Sequence, residues 1–190
     1  ISCSLVGSEM CIRDSNISVK ASDNKNYMDY VISSILDKIS DMTVFLNPSE
    51  NSYQRLGSNK APKYISWSEE NRSQLIRVPA AVGIYQRVEL RSPDPSSNAY
   101  LAFALLIYAI MDGIQNKLEL PPPSNINLYK ADAATLAKFR QLPCDFKSAY
   151  ALAANSLFIK EHIPDAILNI YGNKSVSYTH LRAHETAANL

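Results

Sequence analysis

An α+β fold, an antiparallel sheet with helices segregated from it, is what this 190-residue chain predicts. Short alternating segments separated by turn residues fill the middle of the chain, at Lys63 to Trp67, Leu75 to Val78 and Gln86 to Arg91. Longer segments with apolar residues at helical spacing lie before and after them. No internal repeat or low-complexity linker interrupts the pattern.

Each element has its own local cause. Asn16 to Lys20 reads as the tail of a strand, with Ile17 and Val19 alternating. The polar stretch Ser22 to Asn26 offers caps for a helix from about Tyr27 to Ile39. Met28, Val31, Ile32, Ile35, Leu36 and Ile39 then recur on one face. Pro48 to Gly57 is expected to be a polar loop ending in a turn. Gln86 to Arg91 is the clearest strand: Val88 and Leu90 face one way, and Arg87, Glu89 and Arg91 share the other. The S-P-D-P-S-S-N turn caps a helix from Ala99 to about Leu118, whose nearly all-round apolar surface predicts that it lies inside the protein. Its longest apolar run, Ala99 to Met111, is too short to span a bilayer. Pro121 to Pro123 stop it. Two more helices are expected, Ala131 to Phe139 and Asp145 to Phe158, with a shorter one after Pro164.

The two ends of the chain carry an unusual relation. Ser4 to Ser15 can be written in codons whose reverse complement, read in frame, gives Ser175 to Thr186 residue for residue. Opposite strands of one short DNA therefore encode both ends, as a transposon-based sequencing adapter translated through both flanks of an insert would. Residues 1–15 and 175–190 are accordingly expected to be adapter-derived, and residues 16–174 to be the native portion. Cys3, Cys11, His180 and His184 then drop out, leaving Cys144 and His162, so a Cys/His metal site or nucleophile pair is not supported. Without Arg13 and Arg182 the 19 basic residues fall to 17. Without Glu9, Asp14 and Glu185 the 18 acidic ones fall to 15, a net charge of +2. That near-neutral balance argues against a polyanion-binding tail. One thiol fits a reduced, cytoplasmic compartment.

Five arginines, Arg55, Arg72, Arg77, Arg87 and Arg91, fall in one short stretch around a single carboxylate, Glu89. Guanidinium is permanently charged and presents a planar fork of donors matched to phosphate and carboxylate oxygens. The cluster fits a site for an anionic, metal-bound substrate; it equally fits a half-exposed antiparallel strand with a ladder of surface charges. The glycines Gly57, Gly83, Gly113 and Gly172 cannot build a phosphate-cradling loop of either common type. Any nucleotide must therefore be held by side chains. Arg72, Arg77 and Arg87 suit that task, and Glu89 suits a magnesium ion bridging the same phosphates, unless it is an ordinary cross-strand ion pair. Acids interleaved with the bases, and the lack of an aromatic stacking motif, argue against nucleic acid.

At these residues the chain resembles glutamine synthetase, in the C-terminal part of the type I catalytic domain. The shared segments are N47-P48-S49-E50-N51-S52-Y53-Q54-R55-L56, A61-P62 with W67-S68, N71-R72-S73 with I76-R77, and R87-V88-E89-L90-R91-S92-P93-D94-P95. N98-A99-Y100-L101-A102-F103-A104 and D112-G113-I114-Q115-N116-K117 follow in the same order. The resemblance implies ligation of ammonia to glutamate at the expense of ATP through a γ-glutamyl phosphate, with Mg2+ or Mn2+, in a cytoplasmic ring-shaped homo-oligomer of nitrogen metabolism. It implies that Arg55 and Arg91 hold glutamate and that Arg72 lies near the transferred phosphate. Ser18, Arg72, Arg77 and Arg87 would contact ATP, and Glu89 would bind the metal. The native portion alone is expected to be inactive, because most of the family's metal-binding carboxylates lie upstream of Asn16.

Two departures from the family pattern bear on the substrate. The active-site flap is one residue short and carries Lys60 where a glutamate is expected, and a cation there disfavours ammonium. The alternatives are therefore a ligase joining glutamate to another amine, or a non-catalytic homologue acting as a binding or regulatory subunit. Tyr129 aligns with a tyrosine that some members adenylylate, but the acidic, proline-rich sequence after it is missing, and that control is not expected.

Overall fold

In the computed structural model, residues 2–5, 15–18, 26–58, 61–80 and 87–173 are described. Five short strands form one sheet: β1 (Ser2–Leu5), β2 (Ser15–Ser18), β3 (Trp67–Glu69), β4 (Ile76–Val78) and β5 (Arg87–Leu90), in the order β1-β2-β5-β4-β3. β1 pairs antiparallel with β2, although no strand is expected at residues 2–5, and the expected antiparallel pairing holds for β2 with β5 and β4 with β5. It fails at β3 and β4, which run parallel. Parallel neighbours usually need a crossover of about a dozen residues or more. Here only residues 70–75 return the chain, and Glu70 takes a left-handed conformation, φ 64°, to let it double back. The strand expected at Lys63 to Trp67 begins only at Trp67, because Tyr64 bridges to Gln141 instead of joining the sheet.

The alternating residues of β2, β4 and β5 supply Ile17, Ile76, Val88 and Leu90 to a single core, where all four are fully buried. Helix α1 (Asn26–Leu46) contributes Val31, Ile32, Ile35 and Ile39 to it, the stripe its sequence marks out. It runs beyond the expected end at Ile39, because Met42, Val44, Phe45 and Leu46 are also buried and Thr43 donates its hydroxyl back to Ile39 O at 2.7 Å. The stop comes at Asn47, where the following proline disfavours helical backbone.

The segment expected to be a polar loop instead forms a one-turn helix, α2 (Glu50–Gln54), started by the Ser49 side chain accepting from Ser52 N. A cap made by one serine leaves no periodic trace in five residues, so apolar spacing could not reveal it. Helix α3 (Ala99–Asn116) starts at Asn98, which accepts from Tyr100 N and Leu101 N. It is not enclosed on all sides. Leu105, Leu106, Ala109 and Ile110 are buried, while Tyr100, Ile107, Tyr108 and Met111 are exposed. By length and composition alone α3 could cross a membrane, so its shortness does not decide the matter; its packing on α1 is what places it.

Gly113 makes that packing possible. A Cβ there would overlap the Ser34 side chain and sit 2.7 Å from Tyr30 O, both on α1. Helices α4 (Ala133–Leu136), α5 (Phe146–Asn155) and α6 (Leu157–His162), and a helix α7 over 165–173, complete the described residues. The Ala131 to Phe139 helix shrinks to four residues, none of them buried, so no packing extends it. The helix expected from Asp145 to Phe158 breaks at Ser156, which caps α6 through Ile159 N and donates to Asp41 Oδ2 at 2.6 Å.

Gly113→Ala is expected to lower stability. Overpacking costs about 1–3 kcal/mol, and with rigid backbone as the obstacle it should exceed the roughly 1 kcal/mol that alanine gains in helix propensity. Chemical denaturation of the variant checks this; a midpoint at or above that of the unsubstituted protein would show that α1 and α3 can separate freely.

Candidate functional site

Register brings the charged residues together. Antiparallel pairing sets Arg77 of β4 opposite Glu89 of β5, while β2 sets Asn16 opposite Glu89 and Ser18 opposite Arg87. Since Val88 and Leu90 point into the core, Glu89 and Arg91 project from the other face, as the alternation predicts. Burial is the surprise, for both are less than a tenth exposed. A buried carboxylate is tolerated only when paired. Glu89 is paired with cations: Arg77 Nη1 donates to Oε2 at 2.7 Å, and Arg91 Nε lies 3.3 Å from Oε1.

Both arginines also grip the tight 70–75 return. Arg77 Nε donates to Glu70 O at 3.1 Å, and Arg91 Nη1 donates to Arg72 O. Glu89 thus fixes two guanidinium groups, and those fix the backbone on either side of Asn71. Arg72 rides on this loop with its side chain exposed to solvent.

A second cluster begins one residue further along. Arg55, just past α2, donates through Nε to Asp94 Oδ2 at 3.0 Å, and through Nη2 to Asn47 Oδ1 at 2.6 Å and to Ser92 O. Asp94 also accepts from Ser96 N and Ser96 Oγ through Oδ1, and its own N–H donates to Leu46 O. Burial alone would raise the Asp94 carboxyl; the Ser96 hydrogen bonds and the Arg55 guanidinium outweigh it and hold the group below the usual carboxylate range.

The structure therefore gathers Arg77, Glu89 and Arg91 in one network, with Arg72 joined through its carbonyl, and gives Arg55 a separate carboxylate partner. Arg87 is half-buried on β5, and the backbone of Ser18 faces it across the sheet. Lys60 lies outside the described residues. The sequence places Asn47 and Asp94 in segments shared with the family but gives neither a role in the site; nothing in spacing marks either as a partner of Arg55, because the contact crosses 39 residues in one case. For a metal, Glu89 is already paired with two arginines, and the described residues hold no group of three or more His, Cys, Asp or Glu side chains. A hard cation takes about six oxygen ligands, so these residues alone do not fit a metal site.

The architecture is that of an α+β domain with a charged sheet face. Two solved GmaS chains share it: a GmaS–ADP complex in conformation 1, at TM-score 0.74 and 21% identity, covering 90% of this chain and 43% of that one, and an apo GmaS, at TM-score 0.72 and 22% identity, covering 90% and 41%. The family described as glutamine synthetase, catalytic domain, matches residues 3–188. The chain belongs to that family. Glutamine synthetase of Methanosarcina mazei is 42% identical over 145 residues, 75% of this chain and 32% of the relative. That of Staphylococcus epidermidis (strain RP62A) is 38% identical over 152 residues, 78% and 34%. The chain thus spans about a third of the length of these curated relatives.

Two outcomes are expected at these clusters. Glu89→Ala removes the carboxylate that Arg77 and Arg91 both meet, and should cost about 3 kcal/mol, read as a lowered denaturation midpoint. A depressed carboxyl pKa adds stability that is present above the unfolded-state value, about 3.9, and is lost as pH falls through the folded-state value. Asp94→Asn should therefore weaken the protein at pH 7 but flatten its loss of stability below about pH 4; unchanged acid sensitivity in a pH series of melts would remove Asp94 from that role.

Proposed function

We propose that the whole protein is a glutamate–ammonia ligase. The γ-phosphoryl group of ATP passes to a side-chain carboxylate oxygen of glutamate, releasing ADP; ammonia then attacks the γ-carbonyl carbon and phosphate leaves, giving glutamine. The observation that carries this reading is the buried Arg77–Glu89–Arg91 network holding the Arg72 loop, within a chain of the glutamine synthetase catalytic-domain family. Fixed guanidinium groups stabilise charge that develops on a phosphoryl group without reorganising, which is what phosphoryl transfer asks of a protein.

In this proposal Arg72 faces the transferred phosphate, Ser18, Arg77 and Arg87 contact ATP, and Arg55 and Arg91 hold glutamate. Glu89 orders its two arginines, and contributes to a Mg2+ or Mn2+ site only if ligands from outside the described residues complete it. A ring-shaped homo-oligomer and a cytoplasmic location belong to the same proposal, as does the adapter origin of residues 1–15 and 175–190. The second reading, another amine in place of ammonia, rests on Lys60.

Purified whole protein, given ATP, glutamate and either ammonium or a panel of primary amines, is expected to release phosphate and form glutamine with ammonium. Turnover with amines alone would favour the second reading, and nucleotide binding without turnover would favour a regulatory homologue. Arg72→Ala is expected to lower kcat by about 100-fold or more.

A further inference from the structure

The 70–75 return is held from a third side. Ile126, in the segment that follows α3, presents its carbonyl to that turn: Asn71 Nδ2 donates to it at 3.1 Å and Gln74 Nε2 at 2.8 Å, with Ser73 Oγ 3.3 Å away. Asn71 Oδ1 in turn accepts from Ser73 N and Ser73 Oγ, and Ser73 Oγ accepts from Leu128 N at 3.0 Å. The same segment is pinned at its start, where Trp67 Nε1 donates to Pro121 O at 2.7 Å and Ser124 N donates to Trp67 O. Gln74 is fully buried and Ser73 nearly so.

This spends more polar groups than stopping a loop requires. The residues flanking Arg72 on both sides, Asn71 and Ser73, carry the latch, while the Arg72 carbonyl itself is held by Arg91. With Glu70 in a left-handed conformation, the turn has little intrinsic preference for its shape, and its geometry must come from outside partners. Two amide donors on one carbonyl, each worth about 1 kcal/mol, are enough to select one arrangement of a short loop.

We infer that Asn71 and Gln74 are positioning residues for Arg72, using the Ile126 carbonyl as their anchor, so that residues 121–128 set where the Arg72 guanidinium stands. The inference deepens the proposed function and rests on it for the role of Arg72. It makes the 121–128 segment part of the catalytic geometry although it supplies no charged group to the site. A displacement of Ile126 propagates to Arg72 through two hydrogen bonds.

The test uses the whole protein with Asn71→Asp, which exchanges the donor facing Ile126 for an acceptor and keeps the oxygen that Ser73 uses. Its kcat is expected to fall about tenfold, the effect of losing about 1.4 kcal/mol at the transition state, with KM for ATP and glutamate within twofold. In an Arg72→Ala background the same substitution should cost nothing further, because coupled residues are non-additive. An equal cost in both backgrounds would mean that Asn71 supports only the fold, and would overturn the inference. Hydrogen exchange gives a readout independent of turnover: the Leu128 amide should lose protection in Asn71→Asp, and unchanged protection would also overturn it. If Arg72→Ala leaves kcat intact while Leu128 does lose protection, the latch stands and the role assigned to Arg72 in the proposed reaction fails.

Discussion

One buried carboxylate organises this end of the molecule. Glu89 sits on a strand whose alternate residues are committed to the core, so its side chain has one direction to take, and there it meets two arginines. Such a pairing adds little net stability, since desolvating three charged groups costs about what their attraction returns. Its contribution is geometric. Arg77 and Arg91 cannot leave Glu89 without stranding a buried charge, and while they stay, their remaining donors hold the carbonyls of Glu70 and Arg72. A six-residue connection that would otherwise be too short and too strained for a parallel pair is thereby given a single shape.

Rigid packing behind the sheet supplies the other half of that constraint. Helices α1 and α3 approach until Gly113 meets the backbone of Tyr30, and Leu105, Leu106, Ala109 and Ile110 are buried along the contact. The end of α1 is tied to the turn after β5, where Asp94 N–H donates to Leu46 O, and the Asp94 carboxylate takes up Arg55. Both charged clusters therefore hang from core elements through short connections, which keeps their side chains in place without a glycine-lined loop.

How much of this could be read beforehand depends on the range of the interaction. The apolar stripe of α1, the alternation of β5 and the Asn98 cap of α3 are local patterns, and each lies where its residues put it. The extension of α1 past Ile39, the one-turn helix α2 and the break at Ser156 were not legible, because core contacts of Met42 to Leu46, a lone serine cap and a bond to Asp41 decided them. Arg77 and Glu89 could be singled out by composition. Their pairing with each other could not, since it needed the register between β4 and β5.

The sequence by itself determined the family, the α+β class and the identity of the charged residues, because those follow from residue types at short separations. Only the tertiary structure decided which arginine meets which carboxylate, that β3 and β4 run parallel, and that Ile126 reaches back to Asn71 and Gln74. The physical reason is that hydrogen bonds and ion pairs act over a few ångströms, and Asn71 and Ile126, for one pair, stand 55 positions apart in the chain. Folding alone brings them within reach.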